Sequence, residues 1–355
     1  MRAKGTKQAE GRPVFTLGGV RVAPGQWTTV ELPISRLSTH TPMALPVRVL
    51  HGRQDGPVMF VSASVHGDEI IGVEIIRRLL RTAPMKGIRG TLLCIPVVNV
   101  FGFIAHTRYL PDRRDLNRSF PGTANGSLAS QLAHVFRSEI VARCSCGIDI
   151  HSAALHRNNL PQIRIDAARP KAEALALAFG APAIISAPLR EGSLRKTAAQ
   201  AGVDVLLYEA GEALRFDEIA VRIGVKGILR VMQHMGMISS KAIMPNRVPP
   251  VRSSATYWVR AGQGGIFRIL LSNGARVDKG QVLGVISDPL GETEEEVRAR
   301  VSGIIIGHTN LPVVNQGDAL VHIAEVKVLA TADQRIGQIQ EDIVSDPLFD
   351  EDEII

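Results

Sequence analysis

From about residue 55 to 236 the chain alternates strand-type and helix-type hydrophobic patterns, and this alternation limits the possible folds more than any other feature. "PVMFVSASV" reads as a buried strand, and "DEIIGVEIIRRLLRTA" has a helix's periodicity. "GTLLCIPVVN" is a second strand, followed by the helix "SLASQLAHVFRSEIVARC", with Ser127 placed to cap it. "GIDIH", "PAIISAP" and "VDVLLYEAG" read as further strands. They are separated by the helical stretches "ARPKAEALALAFG" and "SLRKTAAQAG", and "DEIAVRIGVKGILRVMQHMG" closes the series. The pattern predicts an α/β fold: a mostly parallel, mixed sheet with helices on both faces.

The flanks have a different texture. Residues 1–45 form a basic, irregular lead containing the short strand pattern "GQWTTVELPI". Residues 46–245 hold the alternating unit. "MPNRVPPVRSS" is a proline-containing linker into residues 246–330, where helix patterns vanish and short strands punctuated by glycine take over. Val277, Gly280, Leu283 and Ile286 recur with the same spacing as Val314, Gly317, Leu320 and Ile323. Tandem β-units of this kind predict a small, pseudo-symmetric all-β barrel-sandwich. Residues 331–355 make an acidic C-terminal segment, expected to be a mobile tail or a clasp on the basic body.

Composition removes several function classes. No apolar run approaches the ~18 residues of a membrane helix. The basic N-terminus has no apolar stretch behind it, so it does not read as a secretory signal, and a cytoplasmic protein is expected. The net charge is +7, but the basic residues are mostly scattered and aromatics are only 4%, which leaves few stacking platforms for nucleic acid. Cys94, Cys144 and Cys146 cannot form a disulfide framework and read as small buried side chains.

Ligands of open α/β sheets bind beyond the carboxyl ends of the strands. The first strand delivers His66 and Glu69 there, "GIDIHS" delivers His151, and "VDVLLYEAG" delivers Glu209. Two histidines and a glutamate are a catalytic zinc set that leaves a fourth position for water. Glu209 is then free to move protons. Each residue also has a plain structural reading. Asp68 and Glu69 at a helix start favour its dipole. His151 could be a hydrogen-bonded core histidine, and Glu209 a paired acid. The loop "HTRYLPDRRDLNRSFPG" adds Arg108, Arg113, Arg114 and Arg118, only partly offset by Asp112 and Asp115. Such a loop beside a metal suits an anionic substrate, while Arg113 and Arg114 read as a solvated charge run.

At "HGDE", "TRY…DLNRSFPG", "DIHS" and "YEAGE", in this order, the sequence resembles the succinylglutamate desuccinylase/aspartoacylase family, relatives of the zinc carboxypeptidases. The C-terminal repeat is similar to that family's barrel-sandwich unit, itself like biotinyl and lipoyl carriers. The resemblance implies a deacylase that cleaves the linear amide of a small anionic N-acylated amino acid, with one zinc ion per chain. It places zinc on His66, Glu69 and His151 and makes Glu209 the general base and acid. It gives Arg108 the oxyanion, and Asn117 and Arg118 a polar or carboxylate end of the substrate. Arg164 becomes a candidate for the pocket wall. The stretch "DPLGETEEEVRARVSG" has no lysine to carry biotin or lipoate, so a cap, a pocket lip or an oligomer contact is expected of the C-terminal unit. A metallocarboxypeptidase and a non-catalytic binding protein on the same scaffold are the alternatives. The S-x-x-K match at Ser193 and Lys196 is short and lacks its partner motifs.

Overall fold

The computed structural model describes residues 12–241, 243–244, 248–326, 332–346 and 348. A hairpin, β1 (Phe15–Leu17) and β2 (Val20–Val22), precedes the long strands β3 (Trp27–Arg36), β4 (Pro42–His51) and β5 (Gln54–Ala63). Helix α1 (Ile71–Leu79), β6 (Arg89–Ile95), α2 (Val100–Ile104) and α3 (Leu128–Val135) follow. Then come β7 (Cys146–Ala153), β8 (Arg157–Ile165), α4 (Pro170–Phe179), β9 (Ala183–Ser186), α5 (Leu194–Gln200), β10 (Asp204–Glu212) and α6 (Glu218–His234).

The central strands run β10-β7-β5-β6 and are parallel throughout. Antiparallel strands extend the sheet on both sides: β4 and β3 beyond β6, and β8 beyond β10. The expected parallel arrangement is therefore the middle of a mixed sheet. β8 has no counterpart among the strands read from the sequence.

Alternation along each strand divides the interior into two layers. Met59, Val61 and Ala63 of β5, Ile148 and Ile150 of β7, and Leu206 and Tyr208 of β10 pack with α1, α4 and α6. Phe60 of β5 and Leu93 and Ile95 of β6 face the other way, toward α3, α5 and the N-terminal strands. Helices thus cover both faces. The second face also receives Ser62, Asp149, His151, Gln162, Arg164, Leu207 and Glu209, the positions that alternate with the first layer's residues on β5, β7, β8 and β10. Polar side chains at strand ends on one face are what a site at this edge of the sheet requires.

The predicted helix over "SLASQLAHVFRSEIVARC" begins as expected, with Ser127 accepting from the Ser130 amide. It changes pitch after Val135, passing through one π turn and a 3-10 turn before Cys144. All three cysteines are buried and free, and burial pushes the Cys94 and Cys146 thiols up to about 12.

The C-terminal strands are β11 (Val251–Ser253), β12 (Thr256–Arg260), β13 (Gly265–Ile269), β14 (Arg276–Val277), β15 (Val282–Ser287), β16 (Glu294–Arg298), β17 (Gly303–Thr309), β18 (Val313–Val314) and β19 (Ala319–Glu325). β16, β15, β13 and β18 form a separate four-stranded sheet. β12, β19 and β17 instead continue the main sheet, because β17 pairs with β8. The repeat is visible in this packing. Val277, Leu283, Ile286, Val314, Leu320 and Ile323 share one core, and Gly280 and Gly317 adopt nearly the same left-handed φ, +88° and +87°.

Part of the acidic segment is described. Helix α7 (Ala332–Val344) buries Ile336, Ile339 and Ile343 and packs on α6. The buried Lys226 of α6 pairs with Asp346, and Arg335 bonds the Pro250 carbonyl at 2.8 Å. The described part of the segment thus lies against the body; residues 331, 347 and 349–355 lie outside the described part. No helix among the described residues is long and apolar enough to cross a membrane.

Candidate active site

His66 and Glu69 sit in the turn between β5 and α1. The helix was expected to begin at Asp68, but it starts at Ile71, after an Ile70 cap position that has no side-chain bond. Asp68 and Glu69 are therefore outside its first turn, and the dipole reading gives way to another role for Glu69. The turn is wedged against α2, since a Cβ on Gly67 would lie 2.0 Å from the Gly102 carbonyl carbon. Only glycine fits there, and this close approach fixes where the flanking side chains start.

Glu69 is buried between the two histidines. Its Oε1 lies 2.8 Å from His66 Nδ1, and its Oε2 lies 2.7 Å from His151 Nδ1. One ligand atom from each of His66, Glu69 and His151 lies within 4.8 Å of the others, a group able to hold a metal ion. The outer ring nitrogens are also held. His66 Nε2 lies 3.1 Å from Asp115 Oδ1, and His151 Nε2 lies 2.9 Å from Asp149 Oδ2. Ser62 in turn donates to Asp149 at 2.7 Å. Carboxylates behind histidines are the usual support of metal-binding imidazoles, fixing ring orientation and raising basicity.

The electrostatics follow from this geometry. Burial opposes charge on both rings, yet Glu69 with Asp115 raises the His66 pKa, and Asp149 with Glu69 raises that of His151. Burial likewise works against charge on Glu69 and Asp115, but Glu69 is held below the usual carboxylate range by both histidines, and Asp115 by His66 and Arg108. The cluster is rich in acid and favours positive charge at its centre.

Glu209 on β10 stands level with His151 on the neighbouring strand. Asn159 of β8 donates to its Oε2 at 2.9 Å, and Arg164 Nε lies 3.8 Å from its Oε1. Arg108 donates to Glu69 Oε1 at 2.8 Å and reaches Asp115 at 3.4 Å. Asn117 accepts the Leu194 amide with its Oδ1 at 2.9 Å, tying the loop to the start of α5. Arg118 donates to the Asn117 carbonyl at 2.5 Å.

All eight residues singled out from the sequence line one cleft of about 300 Å³. Ser193 lines it too, but its hydroxyl donates to the Arg190 carbonyl and accepts the Lys196 amide, as a helix cap does. Lys196 pairs with Glu191 at 3.2 Å, so the two do not form a nucleophile and base.

The structure adds residues, and for Asp115 a role, that the sequence reading did not assign. Asp149 and Asp115 are the histidine supports. Asp149 precedes His151 by two residues on a strand, hence shares its face, and that was legible. Arg157, Asn159, Arg190 and Arg195 also line the cleft, as does Trp258 from β12. Trp258 stacks on the buried His322, with ring centroids 4.3 Å apart and planes 9° from parallel, and the Arg157 guanidinium lies 5.2 Å from the indole. Part of the wall is thus supplied by the C-terminal strands, as a pocket lip would be.

The family model of the succinylglutamate desuccinylase/aspartoacylase catalytic domain matches residues 55–235. An N-alpha-acetyl-L-2,4-diaminobutyric acid deacetylase of Halomonas elongata is 28% identical over 311 residues, covering 84% of this chain and 90% of that protein. A succinylglutamate desuccinylase/aspartoacylase structure from Rhodobacter sphaeroides is 28% identical, with a TM-score of 0.75, over 85% of this chain and 95% of the other. The product-bound ectoine utilization protein EutE (DoeB) of Ruegeria pomeroyi shares the fold, with a TM-score of 0.77 at 22% identity over 90% of this chain and 100% of the other. With its residues matched from the first strand of the parallel core to the last helix covering it, this chain belongs to the succinylglutamate desuccinylase/aspartoacylase family.

Proposed function

We propose that the protein is a zinc-dependent hydrolase that cleaves the amide bond of an N-acylated amino acid. The observation that carries this reading is the convergence of His66, Glu69 and His151 in one buried group, with Glu209 on the adjacent strand. The donor set fits the metal: two imidazole nitrogens and a carboxylate oxygen are a ligand set of catalytic zinc, and both rings have carboxylates behind them. One ion per chain would sit on these three residues. When bound, zinc supplies Lewis acidity that brings the pKa of a water down to about 7.

This chain's own residues do the rest. Glu209, steadied by Asn159, takes the proton from the attacking water and passes it to the amide nitrogen as the carbon–nitrogen bond breaks. Arg108, anchored to Glu69 and Asp115, stabilises the negative charge that develops on the carbonyl oxygen. Arg118 and the Asn117 amide bind the amino-acid carboxylate, and Arg164 lines the pocket wall beside Glu209. The same donor set serves peptide hydrolysis, so the assay compares N-acyl amino acids with dipeptides.

Two measurements test the reading. Elemental analysis is expected to find one zinc per chain, with turnover lost on chelation and restored by zinc. Glu209→Gln is expected to lower kcat by about 10²–10⁴-fold while zinc content stays unchanged. A metal-free preparation with full activity, or a Glu209→Gln variant with wild-type kcat, overturns the proposal.

A further inference from the structure

We propose that a second cavity, between the π turn that follows α3 and the end of α5, is a binding site for a small aliphatic carboxylate that acts on the cleft through α5. The site goes beyond the deacylase reading and does not depend on it. The cavity measures about 260 Å³. Arg137, in the π turn Phe136–Ile140, contributes to one wall, which Val141 and Ala142 continue. Thr197 and Gln200 of α5, with Ala201 just past its end, make the other. Single π turns are rare and are found frequently at functional sites. Among the described residues none of this turn lines the active cleft. The cavity is what it borders instead.

Arg137 is the one charged residue among the described residues that line this cavity. Its Nε is buried without a hydrogen-bond partner. Its Nη2 donates to His134 Nδ1 at 3.4 Å, a long contact. The carboxylate two residues on, Glu139, is paired with Arg143 at 3.1 Å and accepts the Gly18 amide. A charged donor left buried and unpaired is costly, and a carboxylate is the partner whose geometry a guanidinium fits. Thr197 and Gln200 add a hydroxyl and an amide to the wall. Val141, Ala142 and Ala201 offer only aliphatic surface, which suits a hydrocarbon chain rather than a second charge. The volume lies at the small end for a ligand site and restricts that chain to a few carbons. The walls also lead to the active cleft. Pro121, at the cavity, follows Phe120, whose amide donates to the Gly192 carbonyl at 3.0 Å. The other end of α5 brings Ser193 and Arg195 to the cleft, and Asn117 accepts the Leu194 amide there. An occupant seated against α5 therefore acts on a segment of the cleft wall.

The test titrates isovalerate into the full-length protein by calorimetry, with neutral isovaleramide and inorganic phosphate as controls. Isovalerate is expected to bind with a Kd of about 1 mM or tighter, and at least about tenfold more tightly than either control. Arg137→Met removes the charge and Ala201→Leu fills the space. Each is expected to weaken isovalerate binding by about tenfold or more, with circular dichroism checking the fold. Arg118→Met, altered in the cleft, is expected to retain it. Wild-type affinity in Arg137→Met, loss of binding in Arg118→Met alone, or a control that binds as tightly as isovalerate overturns the site. The kinetic arm uses an N-acyl amino acid at saturation, where competition within the cleft is suppressed. Isovalerate is expected to change kcat by about twofold or more in the wild type and not in Arg137→Met; an unchanged wild-type kcat rejects the action on the cleft. This arm alone rests on the deacylase reading. If no N-acyl amino acid is turned over, that reading fails, and the titrations still decide the site.

Discussion

Asp149 shows how much one carboxylate can contribute without touching a substrate. It is buried, takes a hydrogen bond from Ser62 and holds the outer nitrogen of His151. Asp115 does the same for His66 from a loop 49 residues away. Removing either support frees a ring to turn. Asp149→Asn is expected to weaken zinc binding by about 10–100-fold, measured by competition with a chromophoric chelator. Unchanged affinity would mean that the ring is held by packing alone. The two acids differed in legibility. Asp149 is two residues from His151 on a strand, so its face could be read from the twofold period. Asp115 belongs to an irregular loop, and nothing local says which distant histidine it will meet. The same holds for Arg195: in the sequence it is one more cation on a short helix, and only the packing of α5 against β10 brings it to the cleft. His66, Glu69, His151 and Glu209 were readable because each falls at the end of a strand or on the turn directly after one.

Among the elements, the parallel core was legible because long apolar runs alternate with helical periodicity. β8 was not. Pro161 interrupts it, and proline argues against a strand that needs hydrogen bonds on both edges. The structure accommodates it opposite an irregularity: the β10 register shifts between Glu209 and Gly211, which pair with Gln162 and Asn159 on either side of Pro161. α7 is another element whose role depends on tertiary contacts. Its apolar stripe lies on the body, and Asp346, just beyond its end, meets the buried Lys226. Leaving one half of a buried ion pair is costly. Asp346→Ala is expected to destabilise the protein by about 3 kcal/mol in denaturant unfolding. The double variant Lys226→Met/Asp346→Leu is expected to recover most of that loss. A single variant as stable as wild type would show that the pair contributes nothing.

At the scale of the molecule, the sheet does not stop where the helices do. β8 joins β10 on one edge and β17 on the other, so one run of hydrogen bonds crosses from the strands that carry His151 and Glu209 into the C-terminal β-unit. Sequence texture marked a change after residue 245, but texture cannot reveal an edge pairing between distant strands. The join falls at Asn159, which lies opposite Gly211 on one side and Gly307 on the other. A Cβ added at Gly307 would come 2.7 Å from Asn159 Oδ1. Gly307→Ala is therefore expected to push the Asn159 amide away from Glu209 and to lower kcat by about tenfold, with a smaller change in KM; unaltered kinetics would show that Glu209 needs no such support. The proposed proton carrier is thus aimed by a side chain wedged between two strands, one of them contributed nearly a hundred residues after Glu209 itself. A fragment ending at α6 would keep His66, Glu69, His151, Glu209 and Asn159 itself, and still lack the neighbouring strand that holds the Asn159 side chain in place.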